Sequence, residues 1–134
     1  MATFPSAAWA ALFEAAVNAN AEYAEAAKAW DGEVLLRVLP PDGSTAPVPG
    51  IRLDLAHGAC RSATFLPDSG SVDTEFTFEA PRAVWERIVR GELDPVKAVL
   101  ANEVKVRGNF AKAMRFTRAS GLLVAAARTV PTEF

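Results

Sequence analysis

The 134 residues, 51% of them hydrophobic, suffice for one domain with a real core and are too few for two. Fourteen basic against sixteen acidic side chains give a formal charge of −2, which excludes a chain that holds nucleic acid by bulk charge. One cysteine, Cys60, and one histidine, His57, exclude an internal disulfide and any metal site built from a cluster of either residue.

The charges are unevenly placed. Residues 1–79 carry a net of −7 and residues 80–134 a net of +5. Such asymmetry marks either a face for an anionic partner, such as phosphate or a membrane surface, or a dipolar surface without one. The start, MATFPSAAW, lacks the basic stretch and apolar run of a secretory signal, and the longest apolar run, LLVAAA, is too short to span a bilayer. These features point to a cytosolic protein.

In chain order, Ser6 is placed to cap a helix carrying Trp9, Leu12, Phe13, Ala16 and Val17 at helical spacing. Asn18 or Asn20 interrupts it. A second helix carries Tyr23, Ala26, Ala27 and Trp30 and ends at Asp31-Gly32. The period then changes to two. EVLLRVL is a strand with Val34, Leu36 and Val38 on one side, and PPDGSTAPVPG is a loop. IRLDLAHG alternates, Ile51, Leu53 and Leu55 inward and Arg52, Asp54 and Ala56 outward, and ACRSATFL pairs with it across a His57-Gly58 hairpin. VDTEFTFEA follows, with Thr74, Phe76 and Phe78 on one face, as the fourth strand of an antiparallel meander.

Pro81 suits the first position of a helix bearing Val84, Trp85, Ile88 and Val89 and ending at Gly91 in a left-handed conformation. Asp94-Pro95 opens another helix, with Val96, Val99 and Leu100 as its apolar side. EVKVRG alternates as a short strand, Val104 and Val106 inward. Gly108-Asn109 caps a last helix bearing Phe110, Ala113, Met114 and Thr117, which Ser120-Gly121 is expected to kink. Repeats, low-complexity tracts and a domain-dividing linker are missing, so residues 1–134 read as a single domain.

Catalytic chemistry finds no foothold. His57 sits in a turn, where a solvated structural role is the ordinary one. No G-x-S-x-G elbow exists, DSGS matches no phosphate loop, and Asp54 and Asp73 stand on outward faces. What remains is a surplus of large apolar side chains: Phe13, Phe76, Phe78, Trp85, Phe110, Met114 and Phe116. From the residues alone they fill a core or line a hollow one, and periodicity does not separate the two.

The stretch WERIVRGELDPVKAVLANEVKVRGNFAKAMRF resembles the hallmark segment of the sterol carrier protein type-2 family. Trp85, Gly91, Asp94-Pro95, Lys105, Gly108 and Met114 fall where that family's pattern has them, and VDTEFTFEA resembles its preceding strand. Residues 72–118 carry the resemblance most strongly. One position departs: Asn102 stands where the family usually has glycine. Such a site needs positive φ, and asparagine is the side chain that tolerates it best. The paired N-terminal helices resemble the bacterial stand-alone form rather than the domain fused to thiolases.

The resemblance implies an α+β fold: a five-stranded, mainly antiparallel sheet covered on one face by helices, enclosing a hydrophobic tunnel. EVKVRG is then the fifth strand, reached by a crossover through the two short helices. It implies non-catalytic binding and transfer of a fatty acid, fatty acyl-CoA or sterol-like lipid, without cofactor or metal. Phe13, Phe76, Phe78, Trp85, Ile88, Val99, Leu100, Val104, Phe110 and Met114 become the expected ligand contacts. Arg87, Arg90, Lys112 and Arg115 become candidates for a carboxylate or CoA phosphates at the mouth. An anionic membrane surface or a partner enzyme is the expected transient partner. The alternatives are an accessory domain delivering a hydrophobic substrate to an enzyme, and a small pocket enzyme of isomerase or cyclase type. The latter folds usually end in long strands, whereas this sequence ends in a helix.

Overall fold

The computed structural model describes residues 2–40 and 47–134, with the backbone but not the side chain of Phe110. Most of the expected loop at 41–46 therefore lies outside the described residues. Strand β1 (Ala2–Thr3) precedes helices α1 (Ala7–Asn18) and α2 (Ala21–Ala26). Strands β2 (Asp31–Leu39), β3 (Gly50–Ala56), β4 (Ala59–Leu66) and β5 (Phe76–Pro81) follow. Helices α3 (Arg82–Val89) and α4 (Pro95–Leu100) lead to β6 (Lys105–Arg107), then α5 (Phe110–Arg115), α6 (Thr117–Thr129) and β7 (Thr132–Glu133).

Local chemistry explains most boundaries. Ser6 Oγ accepts from Trp9 N (3.1 Å), Asn20 Oδ1 from Tyr23 N (3.0 Å), Asp94 Oδ1 from Val96 N (2.8 Å) and Asn109 Oδ1 from Lys112 N (3.1 Å). Each side chain satisfies a backbone donor that the first helical turn leaves free. His57 (φ 52) and Gly58 (φ 85) form the two-residue turn between β3 and β4, both left-handed as a tight hairpin requires. A Cβ on Gly58 would also run into the backbone of Ala24, so the hairpin tip packs directly on α2. Asn102 has φ 60 and Gly91 φ 78, the left-handed conformations expected at both helix ends.

The five-stranded sheet has the order β4-β3-β2-β5-β6, antiparallel except where β2 and β5 run parallel. The expected four-strand meander is thus corrected: three strands form it, and β5 crosses back to lie beside β2. The physical reason is visible in β2. Leu35 is fully buried on the face opposite the buried Val34 and Val38, so this strand is covered on both faces and flanked on both edges, as a central strand is. Strand β6 then lies antiparallel beside β5, so α3 and α4 are an excursion between neighbours rather than a parallel crossover.

Other expectations shift. Asp31 and Gly32 lie inside β2, not at the end of a helix, because α2 closes at Ala27 and Trp30 N donates to Ala27 O (2.9 Å). Pro81 precedes the first residue of α3 and closes β5, and Thr74 lies before that strand. Leu12 is 45% exposed, off the buried stripe of Trp9, Phe13 and Val17, and Ala56 is buried rather than outward. The last helix breaks at Phe116 (φ −110, ψ 32) rather than at Ser120-Gly121. Phe116 turns edge-on to Trp30 with centroids 4.9 Å apart, and that contact fixes the break, while Gly121 sits undisturbed in α6 with open space around it.

The helices cover one face of the sheet, with α1 over β4 and α6 touching α1, α2, α3 and α4. The short parallel pair of β1 and β7 ties the two ends together. Phe4 packs edge-on against Trp9 at 4.8 Å beside it.

Candidate functional site: an apolar cavity under the helices

Between sheet and helices lies a cavity of about 150 Å³. Alternation in the strands supplies its floor: Val34 and Leu36 from β2, Leu53 and Leu55 from β3, Phe78 from β5 and Val106 from β6. Helix α6 supplies the roof with Ala119, Leu123, Val124 and Ala127. The small alanines at 119 and 127 let the helix sit low while leaving space between larger neighbours. Trp9, Phe13 and Tyr23 stand at the β4 side, Trp30 beside Phe76 of β5, and Trp85, Ile88, Val99 and Val104 around α3 and α4.

The indole N–H groups and the Thr117 hydroxyl of this lining are bonded elsewhere. Trp9 Nε1 donates to Thr132 Oγ1 (2.9 Å), Trp85 Nε1 to the Arg37 carbonyl (2.9 Å) and Trp30 Nε1 to the Gly32 carbonyl (3.3 Å). Thr117 Oγ1 donates to the Met114 carbonyl (2.6 Å). An apolar space of this kind offers water few hydrogen bonds and accepts apolar guests. The residues at the β4 end, Trp9, Phe13 and Tyr23, are buried. Those at the β6 edge, Pro95, Val96, Val99, Val106 and Ala113, are partly exposed, and Met114 is 37% exposed. The cavity therefore runs from a closed end near β4 to an open end at β6.

Of the expected contacts, Phe13, Phe78, Trp85, Ile88, Val99, Val104 and Met114 line the cavity. Phe76 does not: its ring is packed out of reach, 4.9 Å from that of Trp30, with the Lys112 ammonium 5.5 Å away. Leu100 is 68% exposed on the outer side of α4, because one step along a helix turns a side chain away from Val99. The Phe110 side chain lies outside the described residues. Reasoning from residue type missed Trp9, Tyr23 and Trp30, which the N-terminal helices bring over the sheet. Their helical stripe marked them as buried without indicating what they face.

The rim is basic. Residues 95–118 hold Lys97, Lys105, Arg107, Lys112, Arg115 and Arg118 against the single acid Glu103. Of the four candidates named for the mouth, Lys112 bonds Glu75 Oε1 (2.8 Å) and the Asp31 carbonyl (3.1 Å). Arg87 meets Glu103 at 3.5 Å, and Arg90 lies over the Phe134 ring at 4.6 Å. Arg115 is exposed and has no ion-pair partner among the described residues. Hydrogen bonds tie His57 to the turn before β2: its N donates to the Trp30 carbonyl (2.7 Å) and its Nδ1 lies 3.3 Å from the Lys28 carbonyl. Among the described residues no group of three or more His, Cys, Asp or Glu could hold a metal ion. No helix among them is long and apolar enough to cross a membrane.

A mixed sheet roofed on one face by helices over an apolar cavity defines an α+β fold. A family model, the SCP-2 sterol transfer family, matches residues 11–120, and the chain belongs to that family. It is similar to a crystal structure described as sterol carrier protein 2, with 31% identity over 93% of this chain and 97% of that one and a TM-score of 0.86. A protein of Thermus thermophilus, described as possibly a sterol carrier protein, is 30% identical over 96% of this chain and 90% of its own (TM-score 0.85). The apo form of sterol carrier protein 2 from Yarrowia lipolytica shares the fold at 15% identity, covering 90% of this chain and 89% of that one (TM-score 0.59). No curated protein matches the sequence.

Proposed function

We propose that this protein binds a hydrophobic ligand, a fatty acid, fatty acyl-CoA or sterol-like lipid, and carries it unchanged, as a single cytoplasmic domain. The observation that carries this reading is the apolar cavity whose indole N–H groups are all bonded elsewhere, in a member of a sterol transfer family. Phe13, Phe78, Trp85, Ile88, Val99, Val104 and Met114 are the ligand contacts it assigns, with a carboxylate or CoA phosphates left outside among Lys97, Lys105 and Arg115.

The magnitudes allow it. Each buried methylene gains about 0.8 kcal/mol, so roughly ten of them supply about 8 kcal/mol before ordering and association costs. The span from β3 to β6 is three strand spacings, about 14 Å, so a longer chain emerges at the β6 edge, where Val96, Val99 and Met114 continue the apolar surface.

Titration with a fluorescent fatty acid tests the proposal. The expected result is saturation at one probe per chain and displacement by long-chain acyl-CoA. Absence of saturation at high micromolar probe overturns the carrier reading. Native mass spectrometry of gently purified protein then identifies the class of any co-purified lipid.

A further inference from the structure

Tyr23 is the polar residue of the closed end whose function the carrier reading leaves open. It is 1% exposed and lines the cavity, yet its Oη has no hydrogen-bond partner among the described residues. Only Arg37 Nε, of the described side-chain nitrogens and oxygens, is both sealed and unpartnered, so Tyr23 Oη keeps surface facing open space. Tyr23 itself lines the cavity, the open space beside it.

Its position follows from its neighbours. Tyr23 stands on α2, against whose Ala24 backbone Gly58 of the β3–β4 turn packs. That places it over β4 and β3, the far side of the sheet from the open edge at β6. Competing groups here are occupied. Cys60 Sγ donates to the Ser62 carbonyl (3.3 Å), Asn18 bonds both Cys60 N and Cys60 O (2.8 Å each), and Glu14 Oε1 accepts from Ala63 N (2.8 Å). Burial pushes the phenol up to about 12, with the Cys60 thiol adding to it, so Tyr23 stays neutral and keeps its proton to donate.

We propose that Tyr23 is a specificity-determining stop at the closed end of the cavity, selecting ligands whose inner end carries a hydroxyl or carbonyl oxygen. The inference rests on the carrier reading and sharpens it from any apolar chain to an amphiphile oxygenated at the end that enters first. In a wholly apolar pocket an added terminal hydroxyl loses its water without replacement and weakens binding by roughly tenfold to a hundredfold. Opposite Tyr23 Oη that hydroxyl recovers a partner, and so does the phenol.

The experiment compares ω-hydroxy fatty acids of twelve, fourteen and sixteen carbons with their unsubstituted counterparts, on wild type and Tyr23→Phe. The series of lengths ensures that one oxygen falls at the closed end. The expected result is that for at least one length wild type binds the ω-hydroxy acid as tightly as the plain acid, or more tightly. Tyr23→Phe should then lose about tenfold more for that ligand than for the plain acid. If plain acids bind but every ω-hydroxy acid is disfavoured equally by wild type and variant, the stop is wrong and the carrier reading stands. If no acid of either series binds wild type, both fall. The wild-type comparison decides between these outcomes even should Tyr23→Phe fold poorly.

Discussion

The two faces of one sheet solve opposite problems. On the outer face, Arg37 donates to Glu79 Oε2 (2.8 Å) and to the carbonyls of Ser69 (2.9 Å) and Val72 (3.0 Å), while Arg107 donates to Glu79 Oε1 (2.6 Å). This network pins the segment after β4 across Leu35 and closes that face, where a Cβ on Gly50 would strike Ser69. On the inner face the same strands present only apolar side chains, and the helices above do not fill the space. Polar contacts are directional and fix a closed surface, whereas apolar contacts are non-directional and leave room that a guest can take.

Phe76 and Phe78 test the contrast at its sharpest, because they are two residues apart on the inner face of β5. Phe76 is fully packed, so Phe76→Ala is expected to cost about 3–5 kcal/mol, the range for opening a new cavity. Phe78 already borders empty space, so Phe78→Ala should cost clearly less without ligand but should reduce the rise in melting temperature on adding fatty acid. Equal losses and an unchanged ligand shift would mean that Phe78 is plain core.

On the outer face, Glu79→Ala leaves Arg37 buried without its carboxylate and is expected to destabilise by about 3 kcal/mol in chemical denaturation. Acid should do the same to wild type. Burial opposes ionisation of Glu79, but hydrogen bonds from Arg107 and Arg37 outweigh it and hold the carboxyl below its ordinary 4.5. A carboxyl lowered in the folded state stabilises above its unfolded value and loses that contribution as pH falls through the folded one. Wild type should therefore lose stability as pH drops below 4.5, and Glu79→Gln should show a shallower dependence. Identical pH profiles would remove Glu79 from the account.

The smallest effect is expected at Asn102, where the helical layer meets the sheet edge. At φ 60, Asn102→Gly should be neutral or slightly stabilising and Asn102→Val should cost about 1–2 kcal/mol. Equal melting temperatures for the two would show that the turn does not require this conformation.

Local chemistry determined what the sequence could reveal. The caps at Ser6, Asp94 and Asn109, the His57-Gly58 turn and the left-handed Gly91 and Asn102 each depend on a few adjacent residues, and all appear as expected. The recurrence of Trp85, Gly91, Asp94-Pro95 and Gly108 pointed to the family for the same reason. Strand order was not local: alternation shows that VDTEFTFEA is a strand but not that it lies beside β2. Nor did the sequence distinguish Phe76 from Phe78, which share a face and a residue type. Only the tertiary structure separates them, because Trp30 and Lys112 arrive from distant parts of the chain to close over one and leave the other facing the cavity. A face is set by periodicity, but whether it is filled depends on everything packed against it.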